Sequence, residues 1–443
     1  MNFELDKQTI KDLEIFGDRN SNDSIFNFYN KTKTNGGKER LMYLMENPLS
    51  DLQQIQERSE LIKYISSIKL DLKITPDQLG FIETYIRLNT LPLRNNVIDA
   101  FYQNLSYRIK PSNDYYLIQV GIRQLVYLIK HIKELINCLN KDIPEELFRL
   151  VGNLNEFIKN IDLGALETKS KIGFKDISRL DFIFRAKYKK ELHGFIKTIY
   201  LLDCYCSISE VANESNLAFA HYINSSTPTL TISKLHHPLL KNAVPYDISI
   251  KENNNMCFLT GPNMAGKSTF LKTIGLSIYL SHLGFPVPAK AMKTSIYNGI
   301  ITTINLSDSL NLGYSHFYSE VRRVKETAVK IKANQKLFVI FDELFRGTNV
   351  KDAFDASLLI IEAFLRVKQS TFFVSTHITE IAEEIKKHSN IDFKYFDSKL
   401  VDNKPVYNYK LCNGVTHERL GMFIVKNEGI VEILDSISEL EIV

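Results

Sequence analysis

Eight residues past the middle of the chain restrict its fold more than any other feature: Gly261-Pro262-Asn263-Met264-Ala265-Gly266-Lys267-Ser268 fits G-x-x-x-x-G-K-[ST] at every fixed position. The flanks agree with the motif. A short apolar run, Met256–Leu259, predicts a strand leading in, and the apolar periodicity from Thr269 to Leu280 predicts a helix leading out. Two glycines let the backbone curl until its N–H groups converge on phosphate oxygens. The helix that follows adds the positive end of its dipole. Lys267 is then expected to reach the β and γ phosphates of a nucleotide, and the Ser268 hydroxyl to ligate magnesium. The segment Gly261, Pro262, Asn263, Met264, Ala265, Gly266, Lys267, Ser268 and Thr269 is accordingly the candidate binding site for ATP with magnesium. A Gly-rich turn carrying a surface lysine is the bland alternative.

A second motif argues against that alternative. Leu337-Phe338-Val339-Ile340-Phe341 predicts a buried strand, and Asp342-Glu343 follow it directly. Ligands of open α/β sheets bind at the carboxyl ends of strands, so two acids there suit a nucleotide site. Asp342 fits the magnesium shell. Glu343 is placed to orient and deprotonate an attacking water. A third run, Thr371–Ser375, ends at Thr376-His377. His377 can sense the γ-phosphate or place the water, and a structural histidine is the competing reading.

The chain changes character near residue 228. Downstream, short β-branched or aromatic runs alternate with helical stretches, which predicts a parallel sheet with crossover helices. Upstream, helical periodicity dominates. Ile118, Ile122, Leu125, Ile129, Ile132 and Ile136 form one seam behind the start signals Pro111 and Ser112. A second long helix is expected from Asp176 to Val211, with Ile177, Leu180, Phe184, Tyr188, Leu192, Phe195 and Ile199 inward and Arg185, Lys187, Lys189 and Lys190 outward. A shorter one, Lys38 to Glu46, is stopped by Pro48. The expected domains are a helical one over 1–227 and an α/β nucleotide-binding one over 228–443.

Composition narrows the remaining classes. In 443 residues, 44% hydrophobic and 24% charged, the balance suits folded domains rather than disorder. A net charge of +4 neither demands nor excludes nucleic acid, which depends on clustering. The five cysteines, Cys138, Cys204, Cys206, Cys257 and Cys412, have no metal-ligand spacing and read as reduced thiols. Residues 1–7 lack the basic start and apolar run of a secretory signal, and no apolar stretch approaches the roughly 20 residues of a membrane helix. A cytoplasmic protein without a membrane segment is expected.

The residues around the site resemble the MutS family of DNA mismatch-repair ATPases. Thr260-Gly-Pro-Asn-Met-Ala-Gly-Lys-Ser-Thr269 is similar to that family's P-loop, which usually has glycine where Ala265 stands. Gly284-Phe-Pro-Val-Pro-Ala289, Ser307-Asp308 with Gly313–Glu320, and Asp342-Glu-Leu-Phe-Arg-Gly-Thr348 with Asp352 extend the likeness. So do His237-Pro238, Pro245–Asp247, Asn413-Gly414 and Gly421. Further upstream, Ser24–Phe26, Asn30–Thr32, Gly37–Leu41, Pro48-Leu49 and Gln56–Arg58 resemble the opening of the family's helical core.

The resemblance implies an ABC-type P-loop ATPase domain preceded by an elongated all-α core or lever domain. It further implies a homodimer through the ATPase domains, with ATP between them and Ser315, the signature serine, reaching the γ-phosphate in trans. Tyr409 corresponds to the family's adenine-stacking aromatic, and a second aromatic near Ala243–Tyr246 is displaced to Tyr246 or missing. Mismatch-repair members carry further domains ahead of the core and a clamp within it. Here the core motifs begin by residue 24, and few residues separate Leu163 from Tyr200. The expected protein is a shortened relative without its own mismatch reader, with double-stranded DNA as candidate ligand and a protein partner supplying recognition. Its rivals are a mechanochemical ATPase acting on a protein, and a nucleotide-binding regulatory module with little turnover.

Overall fold

The computed structural model describes residues 3–17, 23–139, 142–161, 172–225, 227–304, 316–333, 336–345, 347–401, 404–416, 429–430 and 433–434. Ser307, Asp308, Ser315, Arg346 and Gly421 lie outside the described residues. The chain divides into two compact units: Met1–Phe28, Asn47–Gln56 and Ser215–Val443 form one, and Tyr29–Glu46 with Glu57–Glu214 the other.

The first unit contains eleven strands among its described residues: β1 (Glu4–Leu5), β2 (Ala220–Ile223), β3 (Leu230–Leu235), β4 (Tyr246–Ile250), β5 (Met256–Thr260), β6 (Ala291–Ser295), β7 (Gly299–Thr303), β8 (Leu337–Phe341), β9 (Thr371–Ser375), β10 (Ile391–Val401) and β11 (Lys404–Asn413). Seven of them build one sheet in the order β1-β7-β8-β9-β5-β10-β11, and β2-β6-β3-β4 build a second. Every pairing in the larger sheet is parallel except that of β10 with the edge strand β11. All residues of β5, β7, β8 and β9 are buried, as expected of strands covered on both faces. The predicted strands are therefore present, and the order β8-β9-β5 brings their three carboxyl ends side by side.

The expected helical domain over 1–227 is not uniformly helical. β1 and β2 both fall inside that range, and β1 pairs in parallel with β7, Glu4 opposite Gly299. A strand of two residues is too short to show a period, so the sequence conceals it.

In the second unit every described element is helical: Asn35–Glu46, Pro76–Ile86, Val97–Ile109, Asn113–Cys138, Glu145–Asn160, Phe174–Phe182 and Lys189–Glu214, with the residues 57–68 that end Leu52–Ile68. The Ser112 hydroxyl caps Asn113–Cys138 by accepting from the Tyr115 N–H at 3.2 Å, as its position predicts. Ile118, Ile122, Leu125, Ile129 and Ile132 are buried on the expected seam. Gly121 lies on the same helix because a Cβ there would meet Tyr85 Cβ at 2.2 Å.

The expected helix Asp176–Val211 is interrupted. Ile183–Lys187 form a π turn, closed by the Tyr188 N–H donating to Ile183 O at 2.8 Å. Arg185, within this turn, is buried, contrary to its expected place on a solvated basic face. Its Nε and Nη2 donate to Asp181 Oδ1 and Oδ2, both at 2.7 Å, and Nη1 donates to Thr90 O at 2.8 Å. Lys187, Lys189 and Lys190 remain exposed.

Candidate active site

The P-loop leaves β5 at Thr260. Gly261 has φ +144° and Gly266 φ +105°, backbone conformations that side-chain-bearing residues seldom adopt. Gly266 also leaves no slack: a Cβ there would stand 3.3 Å from Tyr409 Cδ1. Met264 takes the left-handed region as well, whereas Ala265 does not, so alanine at this position requires no unusual backbone. Gly266 then caps the helix Lys267–His282, whose first-turn N–H groups open toward the loop. The Lys267 ammonium donates to Gly261 O at 2.7 Å and Pro262 O at 3.1 Å and lies 3.8 Å from Glu343 Oε1.

Asp342 extends β8 by one residue, and its N–H donates to Thr303 O of β7 at 2.9 Å. The Ser268 hydroxyl donates to its Oδ2 at 2.5 Å, and the Ser375 hydroxyl donates to Oδ1. A carboxylate and a hydroxyl this close are a pair of hard oxygen donors of the kind that can hold a divalent cation. No group of three or more His, Cys, Asp or Glu side chains arranged around a metal position exists among the described residues.

Glu343 has φ +54°, and its N–H donates to both the Ser375 carbonyl, at 3.1 Å, and the Ser375 hydroxyl, at 3.0 Å. The left-handed turn aims the side chain along the P-loop, where it lines the same cavity as Lys267 and Ser268. His377 Nδ1 lies 4.0 Å from Glu343 Oε2, and the His377 side chain is 56% exposed. Ser375, buried at the end of β9, thus holds both acids. A serine closing an apolar strand looks like any strand terminus in sequence; its place one residue before Thr376-His377 is the available signal.

The cavity holds about 480 Å³ and is bounded on one side by Pro262, Asn263, Met264, Gly266, Lys267, Ser268, Thr269 and Glu343. Leu240, Asn242, Ala243, Val244, Tyr246 and Tyr409 complete its lining, mostly apolar and aromatic surface next to a polar loop. Both tyrosines considered for an adenine contact are present. Tyr409 is 43% exposed, free to present its ring to a ligand. Tyr246 is buried edge-on against Phe270 and Phe396, with ring centroids 5.2 and 5.8 Å away. Burial pushes its phenol pKa above the usual value.

The structure therefore brings together Gly261–Thr269, Asp342, Glu343, His377 and Tyr409, which are scattered over the second half of the sequence. Ser315 lies outside the described residues. Comparison with known proteins adds an independent line. The family description MutS domain III matches residues 8–305, and MutS domain V matches residues 257–440. MutS protein homolog 4 of Mus musculus is 28% identical over 62% of this chain and 30% of its own length. The DNA mismatch repair protein MutS of Petrotoga mobilis is 26% identical over 78% of this chain and 43% of its own length. The protein of that same name from Fervidobacterium nodosum is 24% identical over 97% of this chain and 62% of its own length. The chain spans less than two thirds of each of these relatives.

Proposed function

The chain belongs to the MutS family, whose proteins are ATPases, and from that premise we propose that it binds and hydrolyses ATP and couples the cycle to DNA. The observation carrying the proposal is that Lys267, Ser268 and Glu343 line one cavity while Asp342 is bonded to Ser268, with Ser375 bonded to both Asp342 and Glu343. In this reading the P-loop amides and Lys267 cradle the phosphates. Ser268 and Asp342 hold magnesium, which when bound neutralises phosphate charge. Tyr409 stacks on the adenine above the wall formed by Tyr246 and Val244.

Glu343 takes a proton from water as the water oxygen bonds to the γ-phosphorus and the bond to the ADP oxygen breaks. His377 stands next to Glu343 and orients the water or the γ-phosphate. Ser315 of a second copy completes the site in trans, so turnover requires a dimer.

The DNA part of the proposal is supported by the names of the relatives, two of them DNA mismatch repair proteins. The basic face contributes less than its sequence suggested, since Arg185 is buried and only Lys187, Lys189 and Lys190 of that group can meet phosphate. Recognition of a particular DNA structure is assigned to a protein partner.

Single-turnover hydrolysis with and without short duplexes tests the proposal, with Glu343→Gln as control. The expected result is turnover that Glu343→Gln abolishes, nucleotide binding that it spares, and a rate that duplex DNA alters. Equal hydrolysis by the variant removes Glu343 from the base role. Absence of any retention on DNA at low salt, with and without ATP, removes DNA in favour of a protein target.

A further inference from the structure

The first residues of the chain lie against the catalytic sheet, and their contacts are too specific for simple edge cover. β1 ends at Leu5, after two pairs with β7. Beyond that point no strand among the described residues lies beside β7 on this side, yet its N–H groups still need acceptors. The helix Lys7–Asp12 supplies them from side chains. Thr9 Oγ1 accepts from the Thr302 N–H at 3.0 Å, and Asp12 Oδ2 accepts from the Ile304 N–H at 2.9 Å. Asp12 Oδ2 also accepts from the Thr302 hydroxyl at 2.8 Å. Thr9, Asp12 and Thr302 are all buried.

The helix itself is fixed. Asp6 caps it by accepting from the Thr9 N–H at 2.8 Å, and both Asp6 oxygens receive the Arg323 guanidinium, at 2.6 and 3.0 Å. Arg323 Nη2 also donates to Thr302 O at 2.9 Å.

Thr303 is the residue between the two that Asp12 grips. Its carbonyl faces the other way, toward β8, and accepts the N–H of Asp342 at 2.9 Å. Asp12 therefore fixes the end of β7 from one side, and that end fixes Asp342 from the other. The residues Thr302–Ile304 are the only intermediary required.

We propose that Asp12 is a positioning residue for the magnesium-binding carboxylate, acting through the end of β7; this rests on the ATPase reading above. Loss of the carboxylate leaves two buried donors without an acceptor, and the end of β7 shifts to find water or another oxygen. Asp342 moves with it, displaced from Ser268. Binding of the nucleotide, carried mainly by the P-loop, is little altered.

The full chain carrying Asp12→Ala or Asp12→Asn tests this, read by ATP turnover and by amide hydrogen exchange over residues 336–345. In Asp12→Ala, kcat is expected to fall about tenfold or more with KM within about twofold. Exchange over 336–345 is expected to accelerate, while that of the P-loop helix stays as in the parent protein. Asp12→Asn keeps an oxygen toward Thr302 and Ile304 and restores both readouts. Unchanged exchange over 336–345 in Asp12→Ala overturns the proposal, as does acceleration spread evenly through the unit, or an Asp12→Asn defect as deep as that of alanine. A parent protein without turnover defeats the ATPase reading alone, because exchange still decides the role of Asp12.

Discussion

Asp181 in the helical unit and Asp342 in the sheet unit are both buried carboxylates, yet their partners differ in kind. Asp181 receives both arms of Arg185, the Tyr85 hydroxyl at 2.9 Å and the Leu93 N–H at 2.7 Å. Its charge is matched and its lone pairs are filled by groups that cannot leave without unfolding the turn. Asp342 receives two serine hydroxyls, one of them lining an open cavity. Hydroxyls can rotate and exchange one partner for another, whereas a buried guanidinium cannot give up its counter-ion cheaply. The same side chain is thus a fixed joint in one unit and an available ligand in the other.

Substitutions test that contrast, beginning with the largest effect. Glu343→Gln, beside Asp342, is expected to lower single-turnover hydrolysis by roughly 10²–10⁴-fold, the usual range for a general base, with ATP binding retained. Hydrolysis within a few-fold of the parent would place the chemistry elsewhere. Next, Asp181→Ala strands a buried guanidinium and is expected to cost about 3–5 kcal/mol in urea unfolding of the helical unit. Asp342→Asn is expected to shift stability by no more than about 1 kcal/mol while removing magnesium-dependent turnover. Equal stability losses at the two positions would erase the distinction drawn here.

The buried His282 supplies a titration confined to the sheet unit. Burial lowers its pKa to about 4, and its Nε2 accepts from the Tyr297 N–H at 2.9 Å, so it folds neutral. A histidine with a depressed folded pKa stabilises above its unfolded value and loses that contribution as pH falls. Stability of the sheet unit is therefore expected to decline between the unfolded pKa of about 6.5 and about pH 4, by up to roughly 3 kcal/mol. A decline that persists in His282→Gln would assign the effect to other groups. Smallest, Ser375→Ala removes one hydroxyl from both acids, and kcat is expected to fall on the order of tenfold, equivalent to about 1.4 kcal/mol. A kcat equal to that of the parent would reduce Ser375 to packing.

The sheet unit is easier to read from sequence than the helical one, for a physical reason. Phosphate binding requires backbone N–H groups in a fixed curl, which only a narrow set of residues permits, so Gly261, Gly266 and Lys267 announce themselves. Asp342 and Glu343 are legible because five apolar residues precede them and a P-loop stands in the same half of the chain. Periodicity reports which face is apolar but not how a polar residue on the boundary is satisfied. Arg185 carries the same charge as its neighbours Lys187, Lys189 and Lys190. Its i,i+4 spacing to Asp181 is readable, but such a pair looks the same in sequence on a solvated face as in a core. Ser375 and Asp12 escaped for a similar reason, since each works through a pairing between distant segments.

The pairing of Glu4 with Gly299 has a consequence for biosynthesis. The ribosome delivers β1 first and its neighbour only after most of the chain has emerged, an interval on the order of tens of seconds at roughly 5–20 residues per second. During that time a strand and an amphipathic turn wait without their partner, while the intervening helices make their shorter-range contacts. The first strand can pair only when β7 arrives, and β8 and β9, which end beside Asp342 and Ser375, follow it, so the long-range closure of the sheet comes late.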